Sequence, residues 1–188
     1  MIIVYTGEGK GKTTAGIGQA VRAIGGGFAV AFGQFLKRPD AAGEQRFLET
    51  ELGHDFLAGG LGFYRDPADY PKHREAAKAV LQWARERLLP PTPAQEGTGL
   101  ARRRPVDLIV LDEILYALGS DLVTREEVEE LLALSGTIQD KRANPPHIVL
   151  TGRGLPDWLA ERADLITEMR EIKHPAQSGL PAQRCVEM

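Results

Sequence analysis

The chain has 188 residues, the size of one ordinary globular domain, and its 43% apolar and 26% charged residues are the balance of a protein that buries a core. Twenty-six acidic against 23 basic side chains give a net charge of −3, and the pI near 5.9 argues against a dedicated nucleic-acid binder, which is usually basic with a pI above ~9. No apolar run approaches the ~20 residues of a membrane-spanning helix. Cys185 is the sole cysteine, so no disulfide closes within the chain; that lone thiol, with the absence of an export signal after Met1-Ile2-Ile3-Val4, leads to the expectation of a reducing, cytoplasmic setting.

In chain order, the first element is the run Ile2 to Tyr5, near-continuously apolar and so expected as a strand covered on both faces. After a Gly-rich segment, Ile17, Ala20, Val21 and Ile24 repeat at helical spacing. Strands are expected at Phe28 to Phe35 and Asp55 to Ala58, and a helical stripe at Ala77, Val80, Leu81, Ala84 and Leu88. Residues 90–105 hold four prolines, two glycines and Arg102-Arg103-Arg104, and read as a surface loop inside one domain, 1–188. The arginine run is expected to be a solvated face, the usual fate of like-charge runs, with phosphate contact as the alternative.

A strand from Val106 to Leu111 ends in Asp112-Glu113. Thr124 and Glu127 have capping-box spacing ahead of the buried face Val128, Leu131 and Leu132. A strand at His147 to Thr151, a helix starting at Pro156, a strand at Leu165 to Met169 and a tail from 173 to 188 complete the chain. Strands alternating with helices predict an open, three-layer α/β fold of the P-loop NTPase (RecA-like) kind, with a mostly parallel sheet of about six strands.

Thr6-Gly7-Glu8-Gly9-Lys10-Gly11-Lys12-Thr13-Thr14 joins the first strand directly to the first helical stripe, the context a phosphate-binding loop requires. Glycines let successive N–H groups face a polyphosphate without Cβ clashes. The helix N-terminus adds partial positive charge. Lys12 supplies a mobile cation and the Thr13 hydroxyl a ligand for Mg²⁺ or Mn²⁺. Gly7 to Thr14, with Lys10 either on the ligand or facing solvent, form the expected nucleotide cradle. Thr6 stands where the standard spacing needs glycine, so the loop is one residue short.

Asp112 and Glu113 fall where open α/β sheets bind ligands, beyond the carboxyl end of a buried strand. One carboxylate is expected to hold the metal, directly or through water, and the other to orient that shell or act as base. These residues predict an ATP- or GTP-binding, Mg²⁺-dependent domain but leave the reaction open. A P-loop ATPase or kinase would act at the γ-phosphate, with Glu113 positioning water. A nucleotide-gated RecA-like module would hold nucleic acid, against which the acidic charge and the lack of an interleaved basic-aromatic stretch count.

The stretches Thr6 to Ala15, Gln34-Phe35-Leu36-Lys37, Leu111-Asp112-Glu113, Leu150-Thr151-Gly152-Arg153-Gly154 and Lys173-His174-Pro175 occur in this order. Together they resemble the P-loop type ATP:corrinoid adenosyltransferases, the cob(I)yrinic acid a,c-diamide adenosyltransferases, over nearly the whole chain. The resemblance implies transfer of the 5′-deoxyadenosyl group of ATP to Co(I) of a reduced corrinoid, with release of triphosphate. It also implies ATP bound in the reverse sense to motor ATPases, with the 5′ carbon facing the corrinoid. Lys12, Thr13 and Glu113 are then the implied catalytic groups; Thr13, Asp112 and Glu113 the metal-side groups; and Arg22 a contact to ATP or to the next subunit. A flavoprotein electron donor, a homodimer, and neither nucleic acid nor membrane as partner are further implications.

Phe63 in Gly62-Phe63-Tyr64-Arg65 matches an aromatic that the family places below the cobalt, whereas Arg65 stands where the family has Trp; either Tyr64 covers part of that role or the lower face is less apolar. The extension that some members carry ahead of the first strand is not seen, which implies a reduced lid. The histidines lack metal-ligand spacing; His147 is expected to be structural and His174 a tail or dimer contact.

Overall fold

The computed structural model describes residues 1–64, 66–90, 106–137, 145–183 and 185–186. Its elements are β1 (Ile2–Thr6), α1 (Lys12–Gly25), β2 (Val30–Gln34), α2 (Gly43–Leu52), β3 (Phe56–Ala58), α3 (Tyr70–Leu88), β4 (Leu108–Asp112), α4 (Ile114–Gly119), α5 (Arg125–Thr137), β5 (His147–Thr151), α6 (Asp157–Arg162) and β6 (Leu165–Glu168). The six strands form one sheet in the order β3-β2-β4-β5-β1-β6, every pairing parallel.

Strand side chains alternate between faces, and the sheet divides the core accordingly. Phe32, Val110 and Val149 face α1 and α2, with Ala20, Ala23 and Leu48. Ile109, Leu111, Ile148 and Leu150 face the other helices, with Val80, Leu88, Leu131 and Leu159. Both faces are covered, which explains why the strands read as continuous apolar runs. The expected three-layer α/β architecture with a parallel sheet is observed.

Several expectations shift. The second strand starts at Val30 rather than Phe28, because Gly27 (φ 83) turns the chain; Phe28 instead stacks on His147, whose Nδ1 lies 3.0 Å from the Met1 amine. The Asp107 carboxylate accepts from the Ala29 N–H at 2.8 Å, tying the entries of β2 and β4. In α1 the buried stripe is Gly16, Ala20 and Ala23, while Val21 is exposed. Small residues let this helix lie close to the sheet: a Cβ on Gly16 would sit 3.1 Å from Val110.

The helix α2 goes unsignalled in the sequence because its buried residues are only Gln45 and Leu48, and α4 is only six residues long. Pro156 is the extended residue before α6, which begins at Asp157. The Thr124–Glu127 capping box forms in both directions, 2.8 and 3.3 Å, and Arg74 grips Glu127 with both guanidinium nitrogens, joining α3 to α5. Of the 90–105 loop, only Pro90 is among the described residues, and the arginine run lies outside them.

Candidate active site

The loop after β1 owes its shape to Gly7 and Gly11, at φ 104 and 109, angles that side chains rarely tolerate. It is also pressed against the segment leaving β6. The Met169 N–H donates to Thr6 O and the Gly9 N–H to Met169 O, each at 2.7 Å. A Cβ on Gly7 would lie 2.4 Å from that Met169 oxygen.

Lys12 opens α1 and is buried. Its Nζ donates to Gly7 O at 2.8 Å and Gly9 O at 2.7 Å. Burial lowers the Lys12 pKa, and Glu113, Glu8 and Asp112 partly offset that pull. These two carbonyl contacts hold the ammonium inside the loop.

Asp112, at the end of β4, is fully buried, and both its oxygens are engaged. Oδ1 accepts the Thr13 hydroxyl at 2.9 Å and the Thr151 hydroxyl at 2.7 Å. Oδ2 accepts Gln34 Nε2 at 3.1 Å and lies 3.7 Å from Lys37 Nζ. Gln34 receives in turn from the buried Gln45 at 2.8 Å. Gln45 also donates to Arg38 O at 2.9 Å and accepts from the Ala41 and Ala42 N–H groups at 2.8 and 3.3 Å. A continuous buried relay therefore runs from α2 through Gln34 to the carboxylate that aims Thr13. Asp112 thus fixes the orientation of the Thr13 hydroxyl.

Glu113 occupies the left-handed region at φ 63, and its N–H donates to Thr151 Oγ1 at 3.0 Å. A non-glycine residue held there stores strain, of the order of 1–3 kcal/mol, that the surrounding contacts must offset. Burial raises the Glu113 pKa, Asp112 adds to it, and Lys12, Lys37 and Arg153 draw it back.

Lys12, Thr13 and Glu113 line one open cleft of about 810 Å³. Lys10 is exposed and lines it, as does Thr14. Lys37 and Arg153, which sequence reasoning left without roles, add two more cations to its wall. Arg153 reaches back to the phosphate loop, its Nη2 donating to Glu8 O at 3.1 Å and its Nε 3.3 Å from Glu8 Oε2. Both residues follow strand ends on the ligand side of the sheet, and that topological position is the signal that could have found them.

Phe63 lies at the same cleft, 64% exposed, so core packing does not explain it. Its ring meets Tyr116 edge-on, centroids 5.0 Å apart. Tyr116, and not the expected Tyr64, is therefore the second aromatic of the site. Tyr64 turns inward against Tyr70 and His73. Arg65 lies outside the described residues.

Arg22 is not brought to the cleft. Ten residues beyond Lys12, it stands about 15 Å further along α1, with Nη1 3.4 Å from Gln19 Oε1 and beside a hollow lined by Met1, Phe28 and His147. His174 Nδ1 accepts from the Ala176 N–H, capping a single 3₁₀ turn.

Among the described residues, no group of three or more His, Cys, Asp or Glu side chains is arranged to hold a cation unaided, and no helix is long and apolar enough to cross a membrane.

A family profile described as ATP:corrinoid adenosyltransferase BtuR/CobO/CobP matches residues 1–188. A corrinoid adenosyltransferase of Sinorhizobium sp is 38% identical over all of this chain and 79% of its own length. One from Escherichia coli K12 is 33% identical over 97% of this chain and 83% of its own. Corrinoid adenosyltransferase CobA of Salmonella typhimurium is 33% identical over the whole chain and 85% of its own. With its shortened phosphate loop, Asp112-Glu113 and Thr151-Gly152-Arg153-Gly154 assembled on one sheet edge, the chain belongs to the ATP:corrinoid adenosyltransferase family.

Proposed function

We propose that this chain is a single-domain transferase that moves the 5′-deoxyadenosyl group of ATP onto Co(I) of a corrinoid and releases triphosphate. One observation carries the reading beyond family membership: a phosphate-binding loop shares one cleft with an exposed Phe63 that meets the half-buried Tyr116 edge-on. An enzyme acting only at a terminal phosphate has no use for an apolar plate facing solvent, whereas a flat corrinoid ring does.

The attacking pair comes from cobalt of the substrate. The Co–C5′ bond forms as the C5′–O bond breaks, and its electron pair leaves with triphosphate. Charge therefore grows on the phosphate chain, where the loop N–H groups and Lys12 stand ready to receive it without reorganising. Mg²⁺, when bound, would supply further neutralisation; the hydroxyl of Thr13 and the Glu113 carboxylate suit such a hard cation once phosphate oxygens complete the set. Asp112 holds Thr13 toward it. Phe63 and Tyr116 orient the corrinoid, so that the two reactants meet in line.

The resemblance adds a homodimer, a flavoprotein that delivers the electron making Co(I), and a cytoplasmic setting. The test mixes the protein with Mg-ATP and chemically reduced corrinoid, follows the visible spectrum and assays phosphate products. Adenosylated corrinoid with stoichiometric triphosphate is expected. ADP and orthophosphate, with the corrinoid spectrum unchanged, would establish a γ-phosphate ATPase instead.

A further inference from the structure

Lys37 follows β2 by three residues, at the carboxyl edge of the sheet. It is partly buried, with its side chain 28% exposed, and lines the cleft. Its Nζ is in direct contact with the carboxylate of Glu44, in the first turn of α2. On its other side it lies 3.7 Å from Asp112 Oδ2. The second oxygen of that carboxylate holds the Thr13 hydroxyl. One carboxylate group thus separates the Lys37 ammonium from the residue expected at the metal and the phosphates. Two acids flank Lys37, and only one of them, Asp112, is fully committed to other donors. Glu44 accepts Lys37 at the cleft surface, and its pKa falls chiefly through that hydrogen bond, against burial.

We propose that Lys37 is a second triphosphate cation: it is stored on Glu44 in the free enzyme and moves to a nonbridging phosphate oxygen when ATP enters. The inference rests on the reading that the cleft takes ATP and releases triphosphate.

Several observations favour this over a fixed structural ion pair. A lysine carries three donors on a flexible stem and redirects without disturbing the backbone. A partly exposed pair such as Lys37–Glu44 adds little to stability, so stability alone does not account for its place in the cleft wall. Adjacent Asp112 keeps the ammonium on the phosphate side. ATP brings more negative charge than Lys12 alone matches, and an added cation placed at the phosphates acts on charge developing in the transition state. Glu44 supplies the opposing hold. It keeps the cation from collapsing onto Asp112, which would compete with the Thr13 contact.

The experiment uses the full chain and inorganic tripolyphosphate with Mg²⁺, measured by titration calorimetry, alongside steady-state adenosyl transfer. Lys37→Met should weaken tripolyphosphate about tenfold to a hundredfold and lower kcat by a similar factor, while the KM for corrinoid stays. Glu44→Gln should move binding in the opposite sense, tightening tripolyphosphate about threefold by releasing the competing carboxylate. That reversal is what a structural brace does not produce.

Unchanged tripolyphosphate affinity in Lys37→Met overturns the proposal. So does a raised corrinoid KM with phosphate binding intact, which would place Lys37 on the ring's side chains. Glu44→Gln that weakens tripolyphosphate as Lys37→Met does overturns the storage role. A wild-type chain that binds tripolyphosphate but makes no cobalt–carbon bond would instead sink the adenosyl-transfer reading and leave Lys37 standing.

Discussion

The two ends of the cleft are built differently. At the phosphate end, Lys12, Asp112, Thr151, Gln34 and Gln45 are buried, and each hydrogen-bonds to others of the site. At the aromatic end, Phe63 is exposed and touches Tyr116 by its ring edge. The buried residues of the first region hold one another before any substrate arrives, with only the cation at its wall left to move; the second acquires its packing only when a large apolar partner covers it. For a reaction whose charge develops on triphosphate, rigidity belongs where donors must not reorganise. A broad ring that enters and leaves is better met by a surface that is only half made.

The largest effect expected from this division is at Lys12. Lys12→Ala removes the cation facing the leaving group and leaves the Gly7 and Gly9 carbonyls without their donor. Turnover should fall about a hundredfold to a thousandfold, measured as adenosylated corrinoid formed at saturating ATP. A rate within a factor of two of wild type would remove Lys12 from the transition state and dissolve the claim that this end is preorganised around it.

A smaller change tests the relay behind it. Gln45→Leu preserves volume but strips two donors and an acceptor from a residue that is 1% exposed. Gln34 Oε1 and the Ala41 and Ala42 N–H groups lose their partner, a cost of about 1–3 kcal/mol for an unsatisfied buried group. A thermal melt should show Tm lower by roughly 2–10 °C for a chain of this size. The kcat/KM for ATP should drop several-fold, because Gln34 no longer steadies Asp112, with the corrinoid KM unmoved. Equal losses toward both substrates would show that the two ends are one unit.

How legible each end was follows from how local its chemistry is. Gly7 to Thr14 could be read directly, since a strand, a glycine turn and a helix start constrain the same eight residues. Asp112-Glu113 could be read because a buried apolar run points to its own carboxyl end. The helical stripe in α1 was half legible: apolar spacing put Val21 inward, but Gly16 and Ala20 were chosen by how near the helix lies to the sheet, which periodicity does not report. Gln45 sits in the first turn of a helix with almost no apolar face, and its partner Gln34 is 11 positions away, so neither announced itself. Tyr116 reaches Phe63 only through the turn that strained Glu113 imposes on the start of α4. Arg22 stands ten helical residues from Lys12, about 15 Å along the axis, which sets it apart from this chain's cleft and leaves the next subunit as the contact to look for.

The smallest expected change isolates the unfinished end. Phe63 is 64% exposed, so Phe63→Ala should lower Tm by no more than about 1–6 °C, through the lost edge contact with Tyr116. ATP affinity should stay as it is, because no contact links the Phe63 ring to the buried relay. The ring edge on Tyr116 is worth about 0.5–1.5 kcal/mol beyond area; with a corrinoid against it, losing both contacts should lower kcat/KM for that substrate about tenfold. Phe63→Leu keeps apolar area without the ring, and the gap between the two variants separates burial from aromatic geometry. If Phe63→Ala instead weakened ATP, the aromatic end would be part of the phosphate clamp. A loss confined to the corrinoid means that the grip on triphosphate is complete before the ring docks, and that the corrinoid itself supplies the packing its end of the cleft lacks.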